Sequence, residues 1–293
     1  MDGFQAASRR SFFAVSAAMI AWLAVDARAT RSQTIARRGS LLLVGGGEIT
    51  PEIAQQFVRS AGGKNRRFVY IPTAARDDEI DVPKLAATFE ATFGVATVTI
   101  LHTRDRMIAD AESFVAPLDT ADGVWFGGGR QWRLADVYLG TRVEAGLHAV
   151  LNRGGVVGGT SAGASILASY LVRGAPEGNW ILSAPGHEQG FGLLPMTAVD
   201  QHVNAFHREN DIAEILGRYP HLLGIGLDES TAIWVTDGIC TVIGSGRVIL
   251  HDGKTHAGLP YAVLRAGDRF RVGVDKRLSL LPRAKLKIAP AKA

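Results

Sequence analysis

Gly155-Val156-Val157-Gly158-Gly159-Thr160-Ser161-Ala162-Gly163-Ala164 runs from a short apolar segment straight into a serine flanked by small residues. The valines between glycines read as a strand buried on both faces, and the small residues from Ala164 to Tyr170 read as a helix. Gly159-Thr160-Ser161-Ala162-Gly163 then fits G-x-S-x-G in the strand–turn–helix setting that gives the motif mechanical meaning. A sharp turn strains the serine backbone and lifts its hydroxyl above the sheet edge, and small flanking residues let the chain pack tightly there. The N–H of Ala162, at the helix start, is placed to donate to a developing oxyanion. The plainer alternative is a β–α turn whose serine only caps a helix.

Upstream of this turn the chain alternates between two kinds of segment. Apolar runs lie at Ser40–Val44, Arg67–Pro72, Ala96–Leu101 and Gly123–Phe126, the first and last ended by Gly45-Gly46-Gly47 and Gly127-Gly128-Gly129. Helix-length segments lie between and after them, at Thr50–Ser60, Val82–Phe93, Gln131–Leu139 and Arg142–Asn152. The first opens with Thr50 as a cap and Pro51 in the first turn. This β-α-β-α rhythm predicts an α/β fold: an open, doubly wound, mostly parallel sheet with helices on both faces. Leu223–Leu227, Thr231–Val235 and Thr241–Ile243 come later and close together, with turns at Asp237-Gly238, Gly244-Ser245-Gly246 and Asp252-Gly253. That spacing predicts an antiparallel C-terminal extension. Gly45-Gly46-Gly47 has neither phosphate-loop nor dinucleotide-loop spacing, so it reads as a turn at the carboxyl edge of the sheet, where open α/β sheets place their sites.

The chain has 293 residues, 47% of them hydrophobic, which is enough for one large core and argues against wholesale disorder. A net charge of +4 gives no reason to expect a nucleic-acid partner, and the basic residues Arg283, Lys285, Lys287 and Lys292 read as a solvated tail. The single cysteine, Cys240, excludes an intramolecular disulfide framework and a cysteine-based metal site, and reads as a small buried residue. No cofactor and no metal is expected.

Ser8-Arg9-Arg10-Ser11-Phe12-Phe13 carries a twin-arginine pair, followed by an uncharged stretch to Val25 and by Ala27-Arg28-Ala29. The stretch is shorter than the ~20 apolar residues of a membrane span, so residues 1–29 read as a removed export signal. The expected partner is the twin-arginine translocase, and the expected location is the periplasm or the medium. A single α/β domain, 30–293, remains, with a net charge of +3 once Arg9, Arg10, Arg28, Asp2 and Asp26 are gone.

A serine nucleophile needs a base. His202, His207 and His187 all lie downstream, and spacing alone leaves them equal; no carboxylate is singled out either. Four stretches taken together, however, resemble the cyanophycinase and aspartyl-dipeptidase family of serine peptidases. They are Phe126-Gly127-Gly128-Gly129-Arg130-Gln131, Gly158 to Ala164, Asp200-Gln201-His202, and Gly224 to Ala232. The match is closer to cyanophycinases than to the shorter dipeptidases, chiefly through Asp200-Gln201-His202.

The resemblance implies a fold like class I glutamine amidotransferases, with serine in place of the cysteine. It implies Ser161 as nucleophile, His202 as base, and the backbone N–H groups of Gly128, Gly129 and Ala162 as the oxyanion hole. It also implies a pocket lined by Gln131, Asp200 and Gln201, and a peptide substrate, cyanophycin-like or otherwise aspartyl. The orienting acid is expected between serine and histidine, at Glu177 first and Glu188 second. A fold of this class often pairs, which leaves a homodimer open. The chain departs from the family after Asp200-Gln201-His202: Arg208 keeps one of the arginines that grip aspartyl carboxylates, while Phe206 and Asp211 stand where two more are expected. A peptidase mechanism is therefore the firmer expectation, and a related aspartyl dipeptidase, an acyl hydrolase, or a binding protein on the same scaffold are the alternatives.

Overall fold

A computed structural model describes residues 39–272 and 279–284. The export signal read at residues 1–29, and Lys285, Lys287 and Lys292, lie outside the described residues. The leading strand β1 (Ser40–Val44) is the centre of a nine-stranded sheet. On one side it pairs in parallel with β5 (Val156–Thr160), followed outward by β4 (Gly123–Phe126), β2 (Phe68–Ile71) and β3 (Thr99–Ile100). On the other side the pairing turns antiparallel through β9 (Thr231–Thr236), β10 (Ile239–Gly244), β13 (Arg269–Arg271) and β14 (Ser279–Leu281). This is the doubly wound sheet with its antiparallel extension, except that Leu223–Leu227, expected in that extension, lies in a second sheet.

The alternation of side chains along each strand sorts the core. Leu42, Val44, Phe68, Trp125 and Val156 point to one face, where α1 (Pro51–Ala61) and α2 (Val82–Phe93) bring Ile53, Phe57, Phe89 and Phe93. Leu41, Leu43, Ile71, Val124, Phe126 and Val157 point to the other, against Leu118 of α4 (Glu112–Thr120), Leu134 of α5 (Gln131–Tyr138) and Leu147 of α6 (Arg142–Asn152). A four-residue helix, α3 (Arg106–Ala109), precedes α4. Each fully buried leucine of β1 stabilises the fold by about 1.5–3 kcal/mol relative to exposure. Thr50 caps α1 by accepting from the Ile53 N–H, with Pro51 in the first turn, as its sequence predicts.

Two features differ from the sequence expectation. The helix expected over Ala164 to Tyr170 is only α7 (Ala162–Ser165), after which Ala168–Tyr170 forms strand β6. Ile166 to Ala168 and Tyr170 to Val172 are buried, so the segment has no polar stripe to turn to water as a surface helix would. Strand β6 opens a second, five-stranded sheet with β7 (Leu194–Gln201), β8 (Leu223–Leu227), β11 (Val248–His251) and β12 (Ala262–Leu264). Strand β7, eight residues long, was not apparent in the sequence; it pairs in parallel with both β6 and β8. Its register sets Asp200 opposite Gly226 and Gln201 opposite Leu227, so whatever follows β7 and β8 emerges side by side. The short helix α8 (Val203–Phe206) and then α9 (Ile212–Arg218) follow β7.

Candidate active site

Ser161 occupies φ 54°, ψ −116° between β5 and α7, close to the first central position of a type II′ turn. Such a backbone costs an L residue on the order of 1–3 kcal/mol and persists only where its surroundings impose it. The surroundings are tight. A Cβ on Gly159 would sit 2.3 Å from the Gly163 carbonyl oxygen, and one on Gly163 would sit 2.4 Å from the Phe126 carbonyl oxygen. The Ser161 N–H donates to the Val44 carbonyl at the tip of β1 (3.0 Å). These contacts hold the Ser161 hydroxyl 2.9 Å from Nε2 of His202.

His202 follows β7 in the left-handed region, φ 55°, ψ 35°, and its N–H donates to the Gly45 carbonyl (2.7 Å). Its Nδ1 lies 2.6 Å from Oε1 of Glu229. With the carboxylate ionised, Nδ1 carries the hydrogen and donates to Glu229, which leaves Nε2 as an acceptor for the Ser161 hydroxyl. Glu229 is fixed in turn: its N–H donates to Oδ1 of Asn204 (2.9 Å), and the next residue, Ser230, donates to the Gly46 carbonyl (2.8 Å). The glycine triplet after β1 thus forms the floor beneath the histidine and the acid, as a turn at the carboxyl edge of the sheet should.

The acid on His202 is therefore Glu229, a correction to the expectation of Glu177 or Glu188. Glu177 is exposed on the loop after β6, and Glu188 accepts from Tyr170 (3.1 Å) and Ser183 (2.7 Å). Glu229 comes after the histidine in the chain, and adjacency of β7 and β8 brings it there. Its signals in the sequence are its place within the Gly224 to Ala232 stretch and its position just beyond an apolar strand, where parallel sheets carry their sites. Of the other histidines, His187 pairs with Asp136 (2.8 Å) and His207 is exposed.

The turn after β4 abuts the serine: a Cβ on Gly128 would lie 3.6 Å from the Ser161 Cβ. Among the described residues, the N–H groups of Gly128 and Gly129 donate to no protein acceptor. Ala162 follows the serine at the start of α7, and among the described residues its N–H donates to no protein acceptor. These are the three groups expected to face an oxyanion.

The residues expected to line the pocket are placed differently. Gln131 is buried and donates from Nε2 to the Val172 carbonyl (2.7 Å), tying α5 to the loop after β6. Asp200 is buried in a two-pronged pair with Arg173, Nε and Nη2 each 2.8 Å from a carboxylate oxygen. Arg173 also reaches Asp211 (2.6 Å) and the Asn179 carbonyl (3.0 Å). Burial opposes the Arg173 charge, but the two carboxylates outweigh it and raise its pKa. Gln201 is buried, and its carbonyl accepts from Arg208 Nη1 (3.3 Å). The Arg208 guanidinium stacks over the Phe206 ring at 4.5 Å, and that ring stands edge-on to the His202 imidazole at 5.8 Å. Burial pushes the Arg208 pKa down, and Arg173 adds to the effect.

A serine at a strand–helix elbow, hydrogen-bonded to a histidine that a carboxylate orients, is the arrangement of serine hydrolases, here on a parallel α/β sheet. The model of peptidase family S51 matches residues 41–243, and the chain belongs to that family: it is a serine-type peptidase. It is 30% identical to a cyanophycinase of Geminocystis herdmanii over 79% of this chain and 87% of that one. It is 31% identical to a cyanophycinase of a Nostoc species over 81% and 87% of the two chains. Among solved structures it resembles a peptidase from an acI-B1 actinobacterium with a TM-score of 0.66 and 28% identity, covering 80% of this chain and 98% of that one.

Proposed function

We propose that the chain is an exported serine-type exopeptidase that hydrolyses aspartyl peptide bonds of the β-Asp-Arg, cyanophycin-like kind. The observation that carries this reading is the continuous path from Ser161 Oγ through His202 to Glu229, with links of 2.9 and 2.6 Å. His202 Nε2 takes the Ser161 proton as Oγ bonds to the scissile carbonyl carbon. Glu229 stabilises the imidazolium without taking its proton. The oxyanion is met by the N–H groups of Ala162, Gly128 and Gly129, each donor contributing roughly 3–4 kcal/mol. The C–N bond then breaks, His202 passes its proton to the leaving amine, and the aspartyl group stays on Ser161 as an ester. Water, deprotonated by His202, cleaves that ester and restores the serine. Arg208, buried, within electrostatic reach of Asp200 and Asp211 but hydrogen-bonded to neither, is the group to receive a substrate carboxylate.

The relation to two cyanophycinases supports the substrate class. Export by the twin-arginine translocase, and hence a periplasmic or secreted location, rests on Ser8 to Phe13 and Ala27-Arg28-Ala29. The test is hydrolysis of cyanophycin and of β-aspartyl dipeptides by the chain starting at Thr30, beside Ser161→Ala. Turnover that vanishes in Ser161→Ala supports the reading. A folded protein that binds such peptides for days without cleaving them contradicts it.

A further inference from the structure

The carboxyl edge of the large sheet carries a second concave surface, away from the catalytic chain. The strand order β1-β5-β4-β2-β3 puts His202 over the end of β1 and Ser161 at the end of β5. The loops after β2 and β3 therefore lie beyond the Gly128-Gly129 turn, on the far side of Ser161 from His202. A cavity of about 350 Å³ opens there, at the small end of the range for ligand sites. Its walls are Asp77 and Arg104 from those loops, and Trp132, Arg133, Asp136 and Val137 from α5.

Opposite charges in this cavity are held apart. Arg133 and Asp136 are three residues apart on one helix, a spacing at which such charges ordinarily meet. Here Arg133 gives Nη1 to the Ala74 carbonyl (2.9 Å), and Asp136 turns Oδ1 to Nε2 of His187 (2.8 Å). The Arg133 guanidinium lies over the Trp132 ring at 5.3 Å. Burial lowers its pKa, Arg104 and Arg130 add to the effect, and Asp77 and Glu79 oppose it without outweighing it. Arg104, by contrast, is fully engaged: Nε with Asp77 Oδ1 (2.7 Å), Nη2 with the Ala75 carbonyl (2.6 Å) and Nη1 with the Thr73 carbonyl. Asp77 and Asp136 each commit Oδ1 alone, and among the described residues neither Oδ2 has a hydrogen-bond donor.

A guanidinium with open N–H groups beside two carboxylates with open oxygens suits a ligand that carries both signs. An α-carboxylate matches Arg133, an ammonium and a basic side chain match Asp136 and Asp77, and Trp132 and Val137 give a methylene stem an apolar wall. One atom ties the cavity to the turn beside the serine. The Ala74 carbonyl that receives Arg133 also accepts the Arg130 N–H (2.8 Å), and a Cβ on Gly129 would lie 2.1 Å from it.

We propose that this cavity binds a free basic α-amino acid, its carboxylate on Arg133 and its cationic groups on Asp136 and Asp77, and that occupancy reaches the Gly128-Gly129 turn through the Ala74 carbonyl. The site stands apart from Ser161, and its ligand class does not depend on which aspartyl bond the chain cuts.

Calorimetric titration of the full chain, with Ser161 blocked by a fluorophosphonate, should find one L-arginine bound per chain. Agmatine, which lacks the carboxylate, and L-citrulline, which lacks the side-chain charge, should each bind roughly tenfold more weakly, the scale of one lost hydrogen bond between charged groups. Arg133→Gln and Asp136→Asn should weaken L-arginine binding by a similar factor. On the unblocked chain, L-arginine should slow labelling of Ser161 by roughly fivefold or more, and Arg133→Gln should lose that effect. No saturable binding, or binding that agmatine matches, overturns the inference and needs no variant to fold. Slowed labelling that persists in Arg133→Gln places the amino acid in the catalytic cleft and overturns it as well. Neither result bears on the aspartyl-peptidase reading, which falls if Ser161 reacts but no aspartyl peptide is cut.

Discussion

The imidazole of His202 lies where a side chain at position 46 would be: a Cβ on Gly46 would sit 2.2 Å from Cε1 and 2.5 Å from Nε2. The glycine also has φ +104°, so the contact and the backbone both exclude a side chain. Gly46→Ala should therefore displace the ring from Ser161. Displacements of about 1 Å cost roughly 10²-fold in rate, and kcat/KM should fall by at least that amount. Far-ultraviolet circular dichroism should show the fold retained.

Glu229, not Glu177, orients the histidine. Glu229→Gln should lower kcat by roughly 10²–10⁴-fold with a smaller effect on KM. Glu177→Gln should leave steady-state kinetics within about twofold of wild type, as expected of an exposed loop residue. Equal losses in the two variants would remove the assignment.

The strained turn at Ser161 links activity to stability. Ser161→Ala and Ser161→Gly should both be inactive, but only glycine relieves the φ 54°, ψ −116° backbone. Urea unfolding should find Ser161→Gly more stable than Ser161→Ala by about 1 kcal/mol. Equal midpoints would mean that the turn stores no strain.

Acid should weaken the fold through His251. Burial pushes its pKa below the usual 6.5, and its Nε2–H bond to the Glu209 carbonyl offsets that only in part. Above about pH 6.5 both folded and unfolded rings are neutral, so stability is full there. As pH falls below that value the unfolded chain takes up the proton first, and stability declines toward the folded pKa. His102, lowered mainly by burial and then by Arg104, acts in the same direction. The urea midpoint should be lower at pH 5.5 than at pH 7.5, and His251→Gln should reduce that difference. An unchanged difference would place the acid sensitivity elsewhere.

Local patterns told most of the fold. Ser161 was legible because strand, turn and glycines are consecutive, and β1, β2, β4 and β5 because each is an apolar run closed by glycine, proline or the serine turn. The helix at Thr50 and Pro51 was legible from its capping chemistry. The acid was not, because its place depends on β7 lying beside β8, a register that brings together residues 27 apart in the chain. Strand β7 hid because Leu194-Pro195-Met196-Thr197-Ala198 mixes proline and small residues and shows no clear period. The second sheet was hidden for the same reason, since β6 looked like the continuation of a small-residue helix. Asp200 and Gln131 read in the sequence as pocket residues, but their side chains are committed to other groups of the protein. Which partner satisfies a buried polar group is a tertiary fact, and here Arg173 and the Val172 carbonyl took them.

A Ser161 nucleophile activated through His202 and Glu229 has one direct chemical signature, its reaction with an electrophile. Mass spectrometry of the chain after exposure to a fluorophosphonate measures this. The predicted result is one adduct per chain on Ser161, slowed by roughly 10²-fold or more in His202→Ala and in Glu229→Ala. A folded wild-type chain that takes no adduct, or one labelled at the same rate without His202, would contradict it.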